Sequence, residues 1–152
     1  MRVLWLIACV LLGGCLLESA NAGRKLSDTV EAMNKATRWG QLDQAERLVD
    51  PIYRSRFTAS HAHWGRSIQL ADSEVMQVEL APDKDSAISI IAYQWYTNDA
   101  MDLRQSVVRQ RWSRSGGSFG LFSEAVVQGD PRLLQPNGPK VMTTAGGELG
   151  IE

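Results

Sequence analysis

Few side chains in this sequence could do chemistry, and they fall into two groups. The first centres on His61 and His63, an H-x-H pair that invites a metal reading. Residues two apart on a helix do not share a face, and there is no third histidine to complete a ligand set. The two cysteines, Cys9 and Cys15, both lie in the N-terminal stretch, so the body of the chain has no thiolate ligand, disulfide or redox thiol. No metal and no cofactor is expected. Tyr53, Phe57, His61 and Trp64 instead recur at i, i+4, i+8 and i+11, which puts His61 on one buried helical stripe while His63 points elsewhere.

The second group is carried by strands. Between Asp85 and Gln128 lie three runs rich in β-branched and aromatic residues, separated by Asn98-Asp99 and Gly116-Gly117. Those pairs supply the positive-φ residues of tight hairpins, so the block reads as three consecutive antiparallel strands. With Thr97 opposite Asp102 and Ser115 opposite Ser118, Ile91, Val108 and Ala125 share one face with Ala87, Trp112 and Leu121. Between those rows lies a polar one: Ser89, Gln110 and Ser123. Together with His61 and Tyr53 from the helix, this row is the candidate pocket. Buried polar groups also commonly satisfy one another, so an internally bonded row is the competing reading.

The same registers put Ile90, Ala92, Tyr96, Leu103, Val107 and Val126 on the opposite, convex face. Arg109 beside Glu124 and Arg111 beside Phe122 form its rim. A solvated sheet face alternates to polar residues, whereas an apolar centre with an arginine rim is an interface composition. The expected partner is a second copy or another protein.

The elements that position these groups begin at three helix starts. Asp28 with Glu31 resembles a capping box, Asp43 with Glu46 marks a second start, and Asp50-Pro51 a third. A first strand runs from Ser67 to Leu80, with an irregular step between Ala71 and Glu74, and Pro82-Asp83-Lys84 turns into the three-strand block. Helices followed by strands give an α+β domain, with N-terminal helices packed on a curved four-stranded antiparallel sheet. The tail 129–152, broken by Pro131, Pro136, Pro139 and Gly146-Gly147, is expected to be disordered.

Met1-Arg2 followed by the apolar run Val3 to Leu12 has the form of a secretory signal. Leu12-Gly13-Gly14-Cys15 resembles the lipobox of bacterial lipoproteins, which implies lipidation of Cys15. Cleavage of an ordinary signal after Ala20-Asn21-Ala22 is the alternative. Residues 1–15 are then the leader, 16–25 a linker of at most about 35 Å and 26–128 the folded domain. Leu16 is not the aspartate that retains such lipoproteins at the inner membrane. The resemblance therefore implies a lipid anchor in the outer membrane, facing the periplasm of a bacterial envelope. Without Arg2, the 16 basic residues drop by one against 17 acidic ones, a net charge of −2 with no long basic run, so nucleic acid is not an expected partner.

The segments A-T-R-W-G-Q-L-D-Q-A-E-R-L-V-D-P and R-Q-R-W-S-R-S-G-G-S-F-G-L resemble the cone fold of nuclear transport factor 2 and ketosteroid isomerase. The resemblance implies a cone over residues 25–128 and no particular activity, because the fold hosts many. Enzymes of this fold that abstract a proton beside a carbonyl need a buried base and an oxyanion donor. On the registers above, the concave face offers only Asp102, at a hairpin end far from the middle row. No catalytic residue is assigned. The expected function is a non-catalytic envelope lipoprotein acting as a binding or assembly module; the alternative is a small-molecule binding protein or enzyme using the concave pocket.

Overall fold

A computed structural model describes residues 14–135, with side chains from residue 20 onward. Residues 1–13, which carry most of the leader, and residues 136–152 lie outside the described part. Among the described residues the architecture is α+β: three helices on a curved antiparallel meander of four strands in the order β1-β2-β3-β4. The strands are β1 (Ile68–Leu80), β2 (Ser86–Thr97), β3 (Arg104–Ser115) and β4 (Ser118–Gly129).

Helix α1 (Gly14–Arg38) is longer than the capping signal at Asp28 indicates. Its buried positions Ala22, Leu26, Val30, Met33 and Thr37 continue one stripe at i+3 and i+4 spacing through the supposed cap. Residues 16–25, read as a linker, therefore lie within the helix. Apolar burial at Ala22 and Leu26 outweighs a local start signal. The helix ends where Gly40 N–H donates to Thr37 O and Gln41 N–H to Ala36 O, the paired bonds of a Schellman stop. It packs across β1 and β4.

Helices α2 (Leu42–Glu46) and α3 (Arg54–Ser60) are short. Asp50 does not open α3 directly: its Oδ1 accepts from Ile52 N–H at 3.0 Å, and residues 51–53 form a turn before the helix. The residues just before that turn run along β4. Asp50 N–H donates to Leu121 O, and Leu121 N–H to Leu48 O. Gly120 makes this approach feasible, because a Cβ there would lie 3.3 Å from Asp50 N.

The β2–β3 register is the expected one, with Ile91 opposite Val108 and Ser89 opposite Gln110. Their connection is looser than a tight Asn-Asp hairpin: residues 98–103 intervene, and positive φ falls at Met101. The β3–β4 turn is tight, with Gly116 and Gly117 at φ 58° and 82°. In β4, however, the pairing shifts twice. Trp112 faces Leu121 but Arg111 faces Ser123, and Val108 faces Val126 but Val107 faces Gln128. Phe122 and Val127 are the extra residues of two bulges. β1 shifts likewise at Ala71, inside the expected step, and at Met76.

The tail is not free at its start. Pro131–Leu134 forms a 3-10 turn in which the Asp130 side chain accepts from Arg132 N–H. Leu133 is fully buried in the core, and its carbonyl accepts from Trp64 Nε1–H at 2.9 Å. Trp95 Nε1–H donates to Ser106 Oγ, which donates to Asp130 O at 2.7 Å. Disorder is therefore corrected for residues 129–135. Asp130-Pro131 repeats the start signature of Asp50-Pro51, and the signal was legible. Leu133→Ala is expected to cost about 2–5 kcal/mol in urea denaturation. An unchanged midpoint would show that the turn does not contribute to the core.

Candidate functional site

Four elements aim polar side chains into the concave face. From β2 and β3, Ser89 and Gln110 sit opposite each other, 0% and 1% exposed, and Ser89 Oγ–H donates to Gln110 Oε1 at 2.9 Å. Trp112 Nε1–H donates to Ser89 Oγ at 2.9 Å, so this row is tied to an aromatic beside it. From the helical side, Tyr53, Phe57, His61 and Trp64 are all buried, but the expected single helix ends early: only Phe57 lies within α3, Tyr53 and His61 cap its two ends, and Trp64 follows in a turn where it bridges to Ile68. The His61 ring stacks on Phe57 at 4.0 Å and tilts against Trp64 at 4.3 Å.

The third strand corrects the expected row. Ser123 faces Arg111 on the other side of the sheet, and Glu124 takes the place opposite Gln110. The extra residue at Phe122 reverses the alternation, and a one-residue slip moves every following side chain to the opposite face. The Glu124 side chain is only 1% exposed. Its Oε1 accepts from Gln110 Nε2–H at 2.9 Å, and its Oε2 lies 3.4 Å from His61 Nε2. Its backbone N–H donates to the Tyr53 hydroxyl at 3.2 Å. The acid that sequence reasoning found missing from the concave face is thus present. The available signal was the pair of adjacent apolar residues occurring twice in β4, at Leu121-Phe122 and Val126-Val127.

His61 Nδ1 lies 2.9 Å from the Phe57 carbonyl and 3.1 Å from Ser60 Oγ; because the nearer carbonyl can only accept, we assign the proton to Nδ1. Burial pushes the imidazole below its ordinary range, against the pull of the Glu124 carboxylate and the Phe57 carbonyl. A neutral ring presents a lone pair at Nε2, so the 3.4 Å contact is not an ion pair at neutral pH. Neither His61 Nε2 nor Glu124 Oε2 has a hydrogen-bond partner, and the gap closes only when one proton lies between them. Burial, reinforced by Glu124, pushes the Tyr53 hydroxyl up to about 12 and raises that of Tyr93, whose oxygen is likewise unpartnered.

An oriented histidine beside a carboxylate has the parts of a general base. Here the row ends inside packed protein: His61 is 0% exposed, and Tyr53, Phe57, Trp64 and Trp112 fill the cone. A cavity of about 290 Å3 lies between α2 and α3, lined by Leu42, Asp43, Glu46, Phe57, Thr58, His61, Ala62 and Arg66. His61 is among its lining residues, and Ser89 and Gln110 are not. His63 Nδ1 turns to Ser67 Oγ at 3.2 Å, away from His61. Among the described residues, no three His, Cys, Asp or Glu side chains gather as a metal site.

On the convex face, the structure brings together most of the expected interface residues. Ile90 faces Arg109, Ala92 faces Val107, Ile88 faces Arg111, and Tyr96 follows along β2. Two residues do not belong. Val126 faces Val108 and packs against the core, and Leu103 lies in the β2–β3 connection, 63% exposed. Arg109 neighbours Ala125 instead of Glu124, again because of the bulge. Ile88 and Phe122 line a cavity of about 350 Å3 with Glu79, Pro82, Arg111 and Trp112.

Glu124→Gln should hold or raise stability at pH 7. The amide keeps an acceptor for Gln110 and adds a donor toward His61 Nε2, while Glu124→Ala strands both partners and should cost about 2–4 kcal/mol. Urea denaturation of the two variants checks this; a Gln variant as damaged as the Ala variant would refute the geometry. The His61 shift also has a sign. The folded imidazole binds its proton less readily than the unfolded one, so stability should fall as pH drops below about 6.5 and the unfolded chain takes up the proton. His61→Gln should flatten that slope between pH 7 and 5.

No family model matches the chain, and no curated protein does. Several solved structures resemble it, two of them as follows. One is the intermembrane space region of the chloroplast protein ARC6, 13% identical, with a TM-score of 0.47 over 68% of this chain and 95% of that one. The other, from Nostoc punctiforme, is a protein of unknown function with a cystatin-like fold, 9% identical, with a TM-score of 0.49 over 70% of this chain and 90% of that one. The fold of this chain, read from its own coordinates, is α+β: a curved four-stranded antiparallel sheet carrying a few helices.

Proposed function

We propose that this protein is a non-catalytic envelope lipoprotein whose cone is a packed scaffold and whose working surface is the convex face of the sheet. The filled cone carries this reading. The residues that would line a pocket are buried among Phe57, Trp64 and Trp112, and Ser89, Gln110 and Glu124 bond one another. The outer face, by contrast, exposes Ile88 at 39%, Phe122 at 41% and Val127 at 47%, beside the half-buried Ile90, Ala92 and Val107. Apolar surface that no described element covers is what a binding module offers a partner.

The anchor in this proposal is a lipid on Cys15, in the outer membrane and facing the periplasm. Among the described residues, no helix is long and apolar enough to cross a membrane. The Cys15 backbone lies in the first turn of α1. Ten residues of helix rise about 15 Å, less than half the reach of an extended linker, so the anchor would hold the domain close to the bilayer at a set orientation.

Two substitutions test the two halves of the proposal. Cys15→Ala should move the protein from the membrane to the soluble fraction with its melting temperature intact; continued labelling by a radioactive fatty acid would refute the anchor. Val107→Glu should remove crosslinked bands formed in the native envelope without unfolding the domain, because the new charge falls in the middle of the contact and outside the core. Unchanged bands would refute the convex face as the working surface.

A further inference from the structure

Helix α1 and the two hairpins decide which end of the domain lies nearest Cys15. Lys25 Nζ donates to Gly117 O at 3.4 Å, while Arg38, at the other end of the helix, pairs with Asp72 of β1 at 2.9 Å. The turn between β1 and β2 is at the Gly117 end as well, since Arg114 N–H donates to Asp85 O at 2.7 Å. So is the loop before α3, where the Ser113 hydroxyl donates to Asp50 Oδ2 at 3.1 Å. The β2–β3 connection, with Leu103, lies at the opposite end of the strands. Ala22 is buried and Asn21 exposed, so α1 leaves the body of the domain there. The seven residues of helix from Ala22 back to Cys15 rise about 10 Å, roughly one Debye length at about 0.1 M salt.

The end nearest Cys15 combines an exposed apolar side chain with free cations. Ile52, beside Pro51, is 81% exposed, the most exposed large apolar side chain among the described residues. Next to it, Arg47 and Arg54 line a cavity of about 200 Å3 with Asp50, Ser113, Ser115 and Ser118. Both carboxylate oxygens of Asp50 are already engaged, Oδ1 by Ile52 N–H and Oδ2 by Ser113. Arg54 Nε approaches Glu46 only to 3.9 Å, between half-exposed side chains, and a pair of that kind holds little. Arg47 has no ion pair among the described residues. Arg24, Lys25, Lys84 and Arg114 add positive charge at this end, where Asp28, Asp83 and Asp85 are the further acids. Asp83 is bonded into its own turn by the N–H groups of Asp85 and Ser86 and by the Ser86 hydroxyl.

We propose that this end of the domain docks on the bilayer that holds the anchor. Ile52 enters the headgroup layer, and Arg47, Arg54 and the serine hydroxyls of their cavity hold the phosphate of an anionic phospholipid. This rests on the reading of Cys15 as a lipid anchor and adds what the anchored domain does at the surface. Arginine offers phosphate paired N–H donors in a fixed fork, and serine hydroxyls add further donors. A membrane surface is apolar below and anionic above, so it meets the isoleucine and the arginines together. One acyl anchor gains hold from a second, electrostatic signal within reach of the bilayer, and the short exit of α1 brings this one within reach. A docked hairpin end leaves the strands running away from the bilayer and the convex face uncovered for a partner.

The test uses the full, lipidated chain in vesicles of phosphatidylcholine alone or mixed equally with phosphatidylglycerol, with flotation to show that the protein is held. Cys9 and Cys15 are the only cysteines, so Ile52→Cys and, at the far end, Leu103→Cys each place a single environment-sensitive dye on the domain. Brominated acyl chains should quench the dye at position 52 at least about twofold more than the dye at position 103, and only in the mixed vesicles. Arg47→Glu combined with Arg54→Glu should abolish that difference at an unchanged melting temperature, and about 1 M salt should weaken it. Arg24→Glu, on the exposed side of α1, should lower it in part, which keeps the test independent of how the double variant folds. Equal quenching at the two positions on vesicles that hold the protein would overturn the docking and leave the anchor standing. So would a difference that responds neither to phosphatidylglycerol nor to the charge reversals. Failure to float with either vesicle would sink the anchor and the docking with it.

Discussion

The buried contact between Glu124 and His61 depends on the pairing of the whole sheet with the helix above it. A carboxylate in the middle of a core is costly unless its oxygens find donors, and Glu124 finds one for only one of them. Gln110 is turned toward it by Ser89, Ser89 is held by the Trp112 indole, and the Glu124 amide is tied to Tyr53. The thread therefore crosses β2, β3, β4 and the start of α3. Each bond in it presumes the registers of the others, which makes a shifted β4 costly. The bulge at Phe122 is what admits Glu124, and the same bulge sends Phe122 outward and Ser123 to the far face.

The remaining polar groups of the core follow the same economy. Three buried indoles each donate to an acceptor, at Leu133 O, Ser106 Oγ and Ser89 Oγ. Two of these bonds reach the 3-10 turn after β4, one directly and one through Ser106 and Asp130. The chain after the last strand thus completes the core at the end of the cone that the helices leave open. With the interior occupied in this way, the apolar surface that the described residues leave exposed, at Ile88, Phe122 and Val127, lies on the outside of the sheet. A packed cone and a partly apolar outer face are two sides of one sheet, because alternation that fills one face fixes the composition of the other.

Parts of the candidate site were legible because they depend on short-range rules. Spacing picked out Tyr53, Phe57, His61 and Trp64 as buried, and all four are, although only Phe57 lies within α3 and Trp64 is brought in by a turn after it. Ser89 and Gln110 follow from a hairpin register that survives a loose six-residue connection. Glu124 was assigned to the wrong face, along with Val126, since alternation was continued through a strand that interrupts it. The doubled apolar pairs in β4 mark the interruption, but they do not say which residue of each pair is the extra one.

What the sequence determined by itself is the α+β class, the four strands, the glycine hairpin between β3 and β4, and the identity of most residues that face inward. These rest on propensity, alternation and turn chemistry, each acting over a few residues. Only the tertiary structure decided that residues 16–25 are helical, that the segment after Gly129 docks, and that a carboxylate rather than a serine meets His61. Each of these depends on contact between residues far apart in the chain: α1 with the sheet through Ala22 and Leu26, Leu133 with Trp64, and Glu124 with Gln110 and His61. Local pattern cannot choose between a strand and its one-residue slip when both bury apolar groups. That choice falls to whatever stands opposite, and opposite β4 stand Gln110 and a helix carrying a histidine.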